Sequence, residues 1–310
     1  MVGSLPSVMS LIVSESVTPA VILASEHCQK VFKWDKWNCP REDFERFIYS
    51  SGTKEAAFAK AILAAAIVHS ITKNCTRGEI RGCGCNSNYN GPLPNHSNKW
   101  PWNKCSDDVS FGNRVAKELF EKQEKSNSVE GFIGKHNFRV GRQMAHQMNK
   151  NCRCHGVSGS CSLKNCWTHV KPFEEIAANL KEKYNKAKRL TVKNVESYVA
   201  LTNNIKREGR EKHSPAPDHM LVYVEQSPDY CVANITAGWP GTKGRACSKR
   251  LSNFTTKAER KSCRNLCRQC GYKARKQKRV IQRKKNCKFH WCCNITCDTY
   301  NDTIEEFYCA

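Results

Sequence analysis

The 310 residues include 51 Lys or Arg against 28 Asp or Glu, a formal net charge of +23, and 20 cysteines. That length exceeds the usual size of one domain and allows a sizeable core. The even, chain-wide cysteine usage implies a disulfide framework in an oxidising compartment and excludes an ordinary cytosolic protein. No run of eighteen apolar residues occurs, which excludes a spanning helix.

In chain order, residues 1–27 read as a degenerate or truncated signal or leader, or as the end of a truncated helix. No Lys or Arg precedes Lys30, and the apolar runs Val8–Val13 and Ala20–Ala24 are short and interrupted. Cys28 and Cys39 enclose an aromatic loop with Phe32, Trp34 and Trp37. The stretch Lys54–Lys73 is alanine-rich, lacks Gly and Pro, and is apolar nearly all round, the pattern of a buried core helix. His69 on it reads as a satisfied or surface histidine, not a ligand. Cysteines 75, 83, 85 and 105 surround a turn-rich loop from Gly82 to Asn103.

Ser106-Asp107-Asp108 can cap a helix running to about Lys122, with Phe111, Val115, Leu119 and Phe120 on one side. A third helix is expected over Val129–Asn149, running straight into Cys152. A fourth is expected from Pro172 to about Lys188, with Phe173, Ile176, Leu180 and Tyr184 at helical spacing. Residues 191–218, with Ser214-Pro-Ala-Pro217, read as a linker. Leu221–Val224 reads as a strand, and ten cysteines follow among Gly and Asn turns. The predicted fold class is α+β: a mainly helical N-terminal domain at 28–190 and a disulfide-rich β-hairpin C-terminal domain at 219–310.

Two stretches carry the functional signal. In 152–166, four cysteines bracket a Gly/Ser loop. If Cys154 pairs with Cys161, the loop midpoint lies between Val157 and Ser158, while Cys152 with Cys166 would close an outer ring. Ser158, not Ser160 or Ser162, is then the apical hydroxyl. Gly156 and Gly159 flank it and can take positive φ. The two pairs differ in register by three, so a bulge or helix end is expected between the rungs. In 287–297, a Cys287–Cys297 bond would put Cys292 at the midpoint and a Cys292–Cys293 bond at the tip. Beside Phe289 and Trp291 this would be an exposed apolar knob, the look of a contact site.

Zinc is the alternative use of Cys152-x-Cys154, Cys263-x3-Cys267-x2-Cys270 and Cys287…Cys292-Cys293, but a repeated two-by-two ligand spacing is missing, so no metal is expected. Sequons begin at Asn74, Asn95, Asn234, Asn253, Asn294 and Asn301, in keeping with the secretory route. The densest charge comprises Lys273, Arg275, Lys276, Lys278, Arg279, Arg283, Lys284 and Lys285. It implies a polyanion, and the secretory signals favour heparan sulfate over nucleic acid. Gly156-Val-Ser158-Gly-Ser160, with His155 beside it, nearly matches the hydrolase elbow Gly-x-Ser-x-Gly but lacks its strand-to-helix setting. A passive matrix or toxin-like scaffold shares the cysteines and charge yet gives no reason for the Ser158 loop.

Cys152-Arg-Cys-His-Gly-Val-Ser-Gly-Ser-Cys161, Asp229-Tyr-Cys231, Gly241-Thr-Lys-Gly-Arg245 and Lys288-Phe-His-Trp-Cys-Cys293 resemble the signature motifs of the Wnt family. Trp37-Asn-Cys-Pro40 and the ending Phe307-Tyr-Cys-Ala310 lean toward the subfamily numbered eight. The resemblance implies a secreted glycoprotein morphogen of the extracellular space and matrix, not an enzyme, with no cofactor beyond a palmitoleoyl ester on Ser158. It implies a grip on the Frizzled cysteine-rich domain by a thumb, His155, Gly156, Val157, Ser158 and Gly159, and an index finger, Phe289, His290, Trp291, Cys292 and Cys293. The implied partners are the acyltransferase Porcupine, the carrier Wntless, the deacylase Notum and an LDL-receptor-related co-receptor.

The family's bridges transfer as Cys28–Cys39, Cys75–Cys83, Cys85–Cys105, Cys152–Cys166, Cys154–Cys161, Cys231–Cys270, Cys247–Cys263, Cys267–Cys309, Cys287–Cys297 and Cys292–Cys293. This uses all twenty cysteines. Two further family cysteines are replaced here by Lys285 and Tyr300, a matched loss worth about 2–4 kcal/mol of local stability. The N-terminus is shorter than the family's usual signal plus first helix.

Overall fold

The computed structural model describes residues 7–41, 44, 48, 52–80, 82–84, 106–123, 128–197, 217–236, 238–249, 255–291 and 293–310. Asn95, Asn253, the Cys85–Cys105 bridge, Cys292 and most of the predicted linker lie outside them. The chain forms two compact units, one of residues 1–31 and 41–227, the other of 32–40 and 228–310. The boundary thus falls at 227/228, not within 191–218. Leu190, Val195 and Val222 form one buried cluster of the first unit, so apolar residues on both sides of the polar stretch belong to the same body.

The first unit is built around helix α2, Lys54–Thr76, capped by the Thr53 hydroxyl accepting from the Ala56 N–H. It packs against α1 (Ser7–Val31), α3 (Val109–Gln123), α4 (Val129–Ala145) and α5 (Phe173–Asn185). Its alanines let these neighbours approach closely. At two crossings only glycine fits: a Cβ on Gly141 of α4 would overlap the Ala61 backbone, and one on Gly112 of α3 would come within 2.8 Å of the Val68 carbonyl. By length and apolarity α2 meets the description of a membrane-crossing helix, which corrects the expectation that no segment would. In this fold its side chains face protein instead.

Helix α1 crosses the expected leader boundary at residue 27 without a break, and Ala20, Ala24 and Cys28 are fully buried. Those residues are part of the packed unit. Strand β3, Lys188–Arg189, pairs in parallel with β4, Val222–Tyr223. The Asn137 amide bonds both the carbonyl (2.9 Å) and the N–H (3.0 Å) of Val222, pinning β4 to α4.

The second unit has little apolar core. Its centre is Cys247, Cys263, Leu266, Cys267 and Cys309, with bridges Cys247–Cys263 and Cys267–Cys309 side by side. A core this small needs such staples. The three-stranded sheet has the order β5 (Ala246–Cys247), β7 (Asn294–Cys309), β6 (Ala274–His290). Phe32 and Trp37 of the aromatic loop meet edge to face at 4.7 Å. Arg245 of the Gly241–Arg245 motif donates to the carbonyls of Lys36 (2.6 Å) and Lys33 (3.0 Å). Burial pushes its guanidinium down to about 10. That motif therefore builds the unit, with the Arg245 side chain closing the loop.

Candidate functional site

The Ser158 loop tops a β-hairpin, not a helix end. Helix α4 stops at Ala145, two residues follow, and β1 (Met148–Cys154) pairs antiparallel with β2 (Lys164–Val170). The expected helix to Asn149 is corrected here: His146 caps α4, and the Lys171 N–H bonds the Gln147 carbonyl at 3.1 Å to close the hairpin base. Cys152 and Cys166 are direct cross-strand partners and are bridged, as are Cys154 and Cys161. Cys154 pairs in register with Lys164, so the three-residue offset between rungs is absorbed by a turn at 161–163.

Above the rungs the His155 N–H bonds Leu163 O (2.7 Å) and the Gly156 N–H bonds Ser160 O (2.8 Å), leaving a 3-10 turn at Val157–Gly159. The two glycines act differently from expectation. Gly159 has φ 77°, but Gly156 is extended at φ −71°, and the second left-handed residue is Ser158 itself, at φ 56°. Gly156 is needed for space: a Cβ there would overlap the Ser160 and Ser162 hydroxyl oxygens. Those two hydroxyls bond each other at 3.0 Å. The Ser158 hydroxyl is exposed and has no hydrogen-bond partner among the described residues, beside Val157, which is 90% exposed. All three loop serines are exposed, but among the described residues only the Ser158 hydroxyl is left unbonded, at an apolar tip.

The second tip closes the hairpin of β6 and β7. A bulge between Lys285 and Lys288 places two residues, Asn286 and Cys287, against Cys297, at the Cys287–Cys297 bridge. Beyond it Phe289 pairs with Ile295 and His290 with Asn294, and the His290 ring bonds the Thr296 hydroxyl at 2.7 Å. Phe289, Trp291 and Ile295 are 68%, 96% and 62% exposed. The expected knob is present, with one correction. Cys293, at φ 79°, carries a free, exposed thiol, so the neighbouring-cysteine bond is not formed. Neighbouring Cα atoms stand about 3.8 Å apart, closer than ordinary disulfide geometry takes without strain.

The Wnt family model matches residues 8–310. The chain belongs to the Wnt family. It is 35% identical to Protein Wnt-8a of Danio rerio and to Protein Wnt-8a of Homo sapiens, each over 289 residues and 92% of this chain, covering 80% and 82% of those relatives. A chain from the solved structure of human WLS in complex with WNT8A superposes with a TM-score of 0.70 at 32% identity, covering 96% of this chain and 94% of that one. Wnt family members are secreted signalling ligands, not enzymes.

In this Wnt the hairpin base is fixed by a group that the sequence reading took for a helix cap. The Asp107 carboxylate accepts from the Val170 N–H of β2 (2.8 Å), from Lys73 (2.8 Å) and from the Thr76 hydroxyl (2.8 Å) of α2. Burial alone would raise its carboxyl, but the bonds from Lys73, Val170 and Thr76 outweigh burial and hold it below the usual aspartate range. The Ser106 hydroxyl accepts from the Thr168 N–H at 3.1 Å, and Asp108 alone does the capping, at Ser110. The Ser-Asp-Asp triplet was the available signal; only the fold separates its roles.

Of the cysteines weighed as zinc ligands, all but Cys292, which lies outside the described residues, and the free Cys293 are otherwise engaged. Cys152, Cys154, Cys263, Cys267, Cys270 and Cys287 all sit in bridges, as do Cys75 with Cys83 and Cys231 with Cys270. Cys28 and Cys39 are also disulfide-bonded. Among the described residues no three potential ligands converge. Sequon residues Asn234, Asn294 and Asn301 are exposed, while Asn74 is half-buried near the end of α2, its amide 3.5 Å from the Ser16 hydroxyl. Of the basic run, Lys276 pairs with Glu305, Arg283 with Asp302 and Arg279 with Glu306.

Proposed function

We propose that this chain is a secreted, lipid-modified Wnt ligand that docks on the Frizzled cysteine-rich domain through a palmitoleoylated Ser158 and, separately, through the Phe289–Cys293 tip. The observation that carries this reading is the disposition of the loop hydroxyls. Ser160 and Ser162 satisfy each other, whereas Ser158 projects unbonded from a doubly bridged hairpin. A membrane acyltransferase, Porcupine by family resemblance, can reach it without opening a disulfide.

The acyl chain supplies the affinity. Each buried methylene contributes about 0.8 kcal/mol, so roughly fourteen give on the order of 10 kcal/mol before ordering costs. Trp291 and its neighbours add a second grip on the same receptor domain. The Wntless carrier is supported by the complex of the relative WNT8A with human WLS. The deacylase Notum, an LDL-receptor-related co-receptor and heparan sulfate on the basic strand complete the partners. The ligand has no catalytic activity of its own: Gly156–Ser160 tops a hairpin instead of a strand-to-helix elbow.

The test pairs two variants. Ser158→Ala should form its bridges yet lose the hydroxylamine-sensitive mass, carrier-dependent export and most receptor affinity. Trp291→Ala should be acylated and exported normally but bind the receptor domain roughly 30-fold more weakly. An acyl group mapped to Ser160, or undiminished receptor binding by Ser158→Ala, sinks the proposal.

A further inference from the structure

The β6–β7 hairpin has two faces of unlike charge. On one, Arg279 and Arg283 are ion-paired to Glu306 and Asp302, with Lys285 opposite Asp298. On the other, Lys276, Lys278 and Lys284 stand against Glu305 alone, and Glu305 is taken by Lys276 at 2.6 Å. Among the described residues no carboxylate is within ion-pair reach of Lys278 or Lys284, and both are exposed. Arg275 also lies on the first face, which then holds four cations against three carboxylates, while the second holds three against one, so the larger surplus of positive charge lies on the Lys278–Lys284 face.

That same face holds a sequon. Asn301 pairs directly with Gln282, and Thr303 with Val280, so both residues of Asn301-Asp-Thr303 that define the sequon stand between Lys278 and Lys284. Asn301 is exposed, and Val280 beside it is 62% exposed, so the face is open to a modifying enzyme. At the rise of a strand, Asn301 lies about 7 Å along from Lys284 and about 13 Å from Lys278. A branched glycan there covers both ammonium groups without altering either charge.

We propose that N-glycosylation of Asn301 gates a sulfated-polyanion site formed by Lys276, Lys278 and Lys284. The inference rests on the heparan sulfate reading above and assigns it to one face with one switch. Polyanion affinity grows with each phosphate- or sulfate-neutralising cation, so shielding two of three lysines removes most of the site. Chains secreted with Asn301 occupied diffuse past sulfated matrix; chains without the glycan are retained.

The experiment measures heparin binding of the full secreted chain. Asn301→Gln and Thr303→Ala remove the sequon by different residues, and both should bind about three- to tenfold more tightly at fixed salt and elute later. Asn234→Gln, a sequon elsewhere, should elute with wild type. Lys278→Glu/Lys284→Glu in the Asn301→Gln background should lose the gain. If this charge-reversed protein is retained like Asn301→Gln, the polyanion reading itself fails. If it elutes early while Asn301→Gln and Thr303→Ala elute with wild type, the gate alone fails. Peptide mapping that finds Asn301 unmodified in the secreted wild type also overturns the gate.

Discussion

The Lys285 ammonium stands 5.1 Å from the centroid of the Tyr300 ring, although the two are diagonal neighbours: Lys285 faces Asp298 and Tyr300 faces Arg283. These are the two positions where the family resemblance implies cysteines. A cation–π contact at an exposed site contributes about 0.5–1 kcal/mol, less than the roughly 2–4 kcal/mol of a disulfide. The finger is thus held more softly just below the bulge at Asn286. Tyr300→Ala should speed amide exchange of 294–300 by about two- to fivefold, while Tyr300→Phe should leave it unchanged. Equal exchange in both variants would mean that the contact contributes nothing.

Gly156 and Gly159 predict an asymmetry. A Cβ at Gly159 meets open space and suffers only from its left-handed backbone, about 1–2 kcal/mol, whereas one at Gly156 must displace the Ser160–Ser162 pair beneath the apex. Gly156→Ala should therefore lower the acylated fraction of secreted protein more than Gly159→Ala, read by intact mass before and after hydroxylamine. The reverse order would show that backbone strain, not space under the apex, governs access to Ser158.

Asp107 makes the Ser158 hairpin acid-sensitive at its base. Its folded carboxyl titrates below the unfolded value of about 3.9, so its contribution is whole above that pH and is lost as pH falls through the lower folded value. Asp107→Asn, which keeps shape but loses the charge-assisted bonds to Lys73 and Val170, should cost about 1–3 kcal/mol at neutral pH. It should also flatten the acid limb of a thermal melting series below about pH 4. A limb that stays as steep as wild type would place the acid-labile group elsewhere.

His69 sets a higher window. Burial, and then the charge of Lys73, push its imidazole down to about 4, with the Lys171 backbone bond opposing. Its ring packs 5.4 Å from Phe173, which the His27 ring also meets, edge to face at 5.1 Å. The folded value lies below the unfolded value of about 6.5, so stability is full above that pH. It falls on the order of 1–3 kcal/mol as pH drops toward 4. His69→Gln should remove much of that slope in melting temperature between these pH values. His27, His136 and His146, each lowered first by burial, contribute to the remainder. An unaltered slope would exclude His69 as its source.

How much was legible follows from pattern strength. Helix α2 could be read outright because Ala56 to Ile71 repeat apolar character without a breaker, and the bridges across 152–166 and 287–297 followed from cysteine spacing and family motif. The stem of the Ser158 hairpin could not. Met148-Asn-Lys-Asn-Cys-Arg-Cys has no apolar alternation, since both its faces are largely exposed, and helical spacing upstream ran on through it. Helix α1 was legible only as one of two readings of residues 1–27, because Pro19 interrupts a short apolar run; with Ala20 and Ala24 buried, packing overrides the break. The 191–218 linker failed for a related reason: a polar sequence hides Val195, which packs in one buried cluster with Leu190 and Val222.

Strand β6 lies at the edge of its sheet, with the backbone donors and acceptors of its outer side unpaired among the described strands. Seventeen residues of open edge form a template on which a second finger could stack. The lysines and arginines along it supply mutual repulsion between any two copies, so the protein's positive charge also keeps its own fingers apart. Such protection fades as salt shortens the reach of each charge, and concentrated stocks should stay dispersed best at low ionic strength.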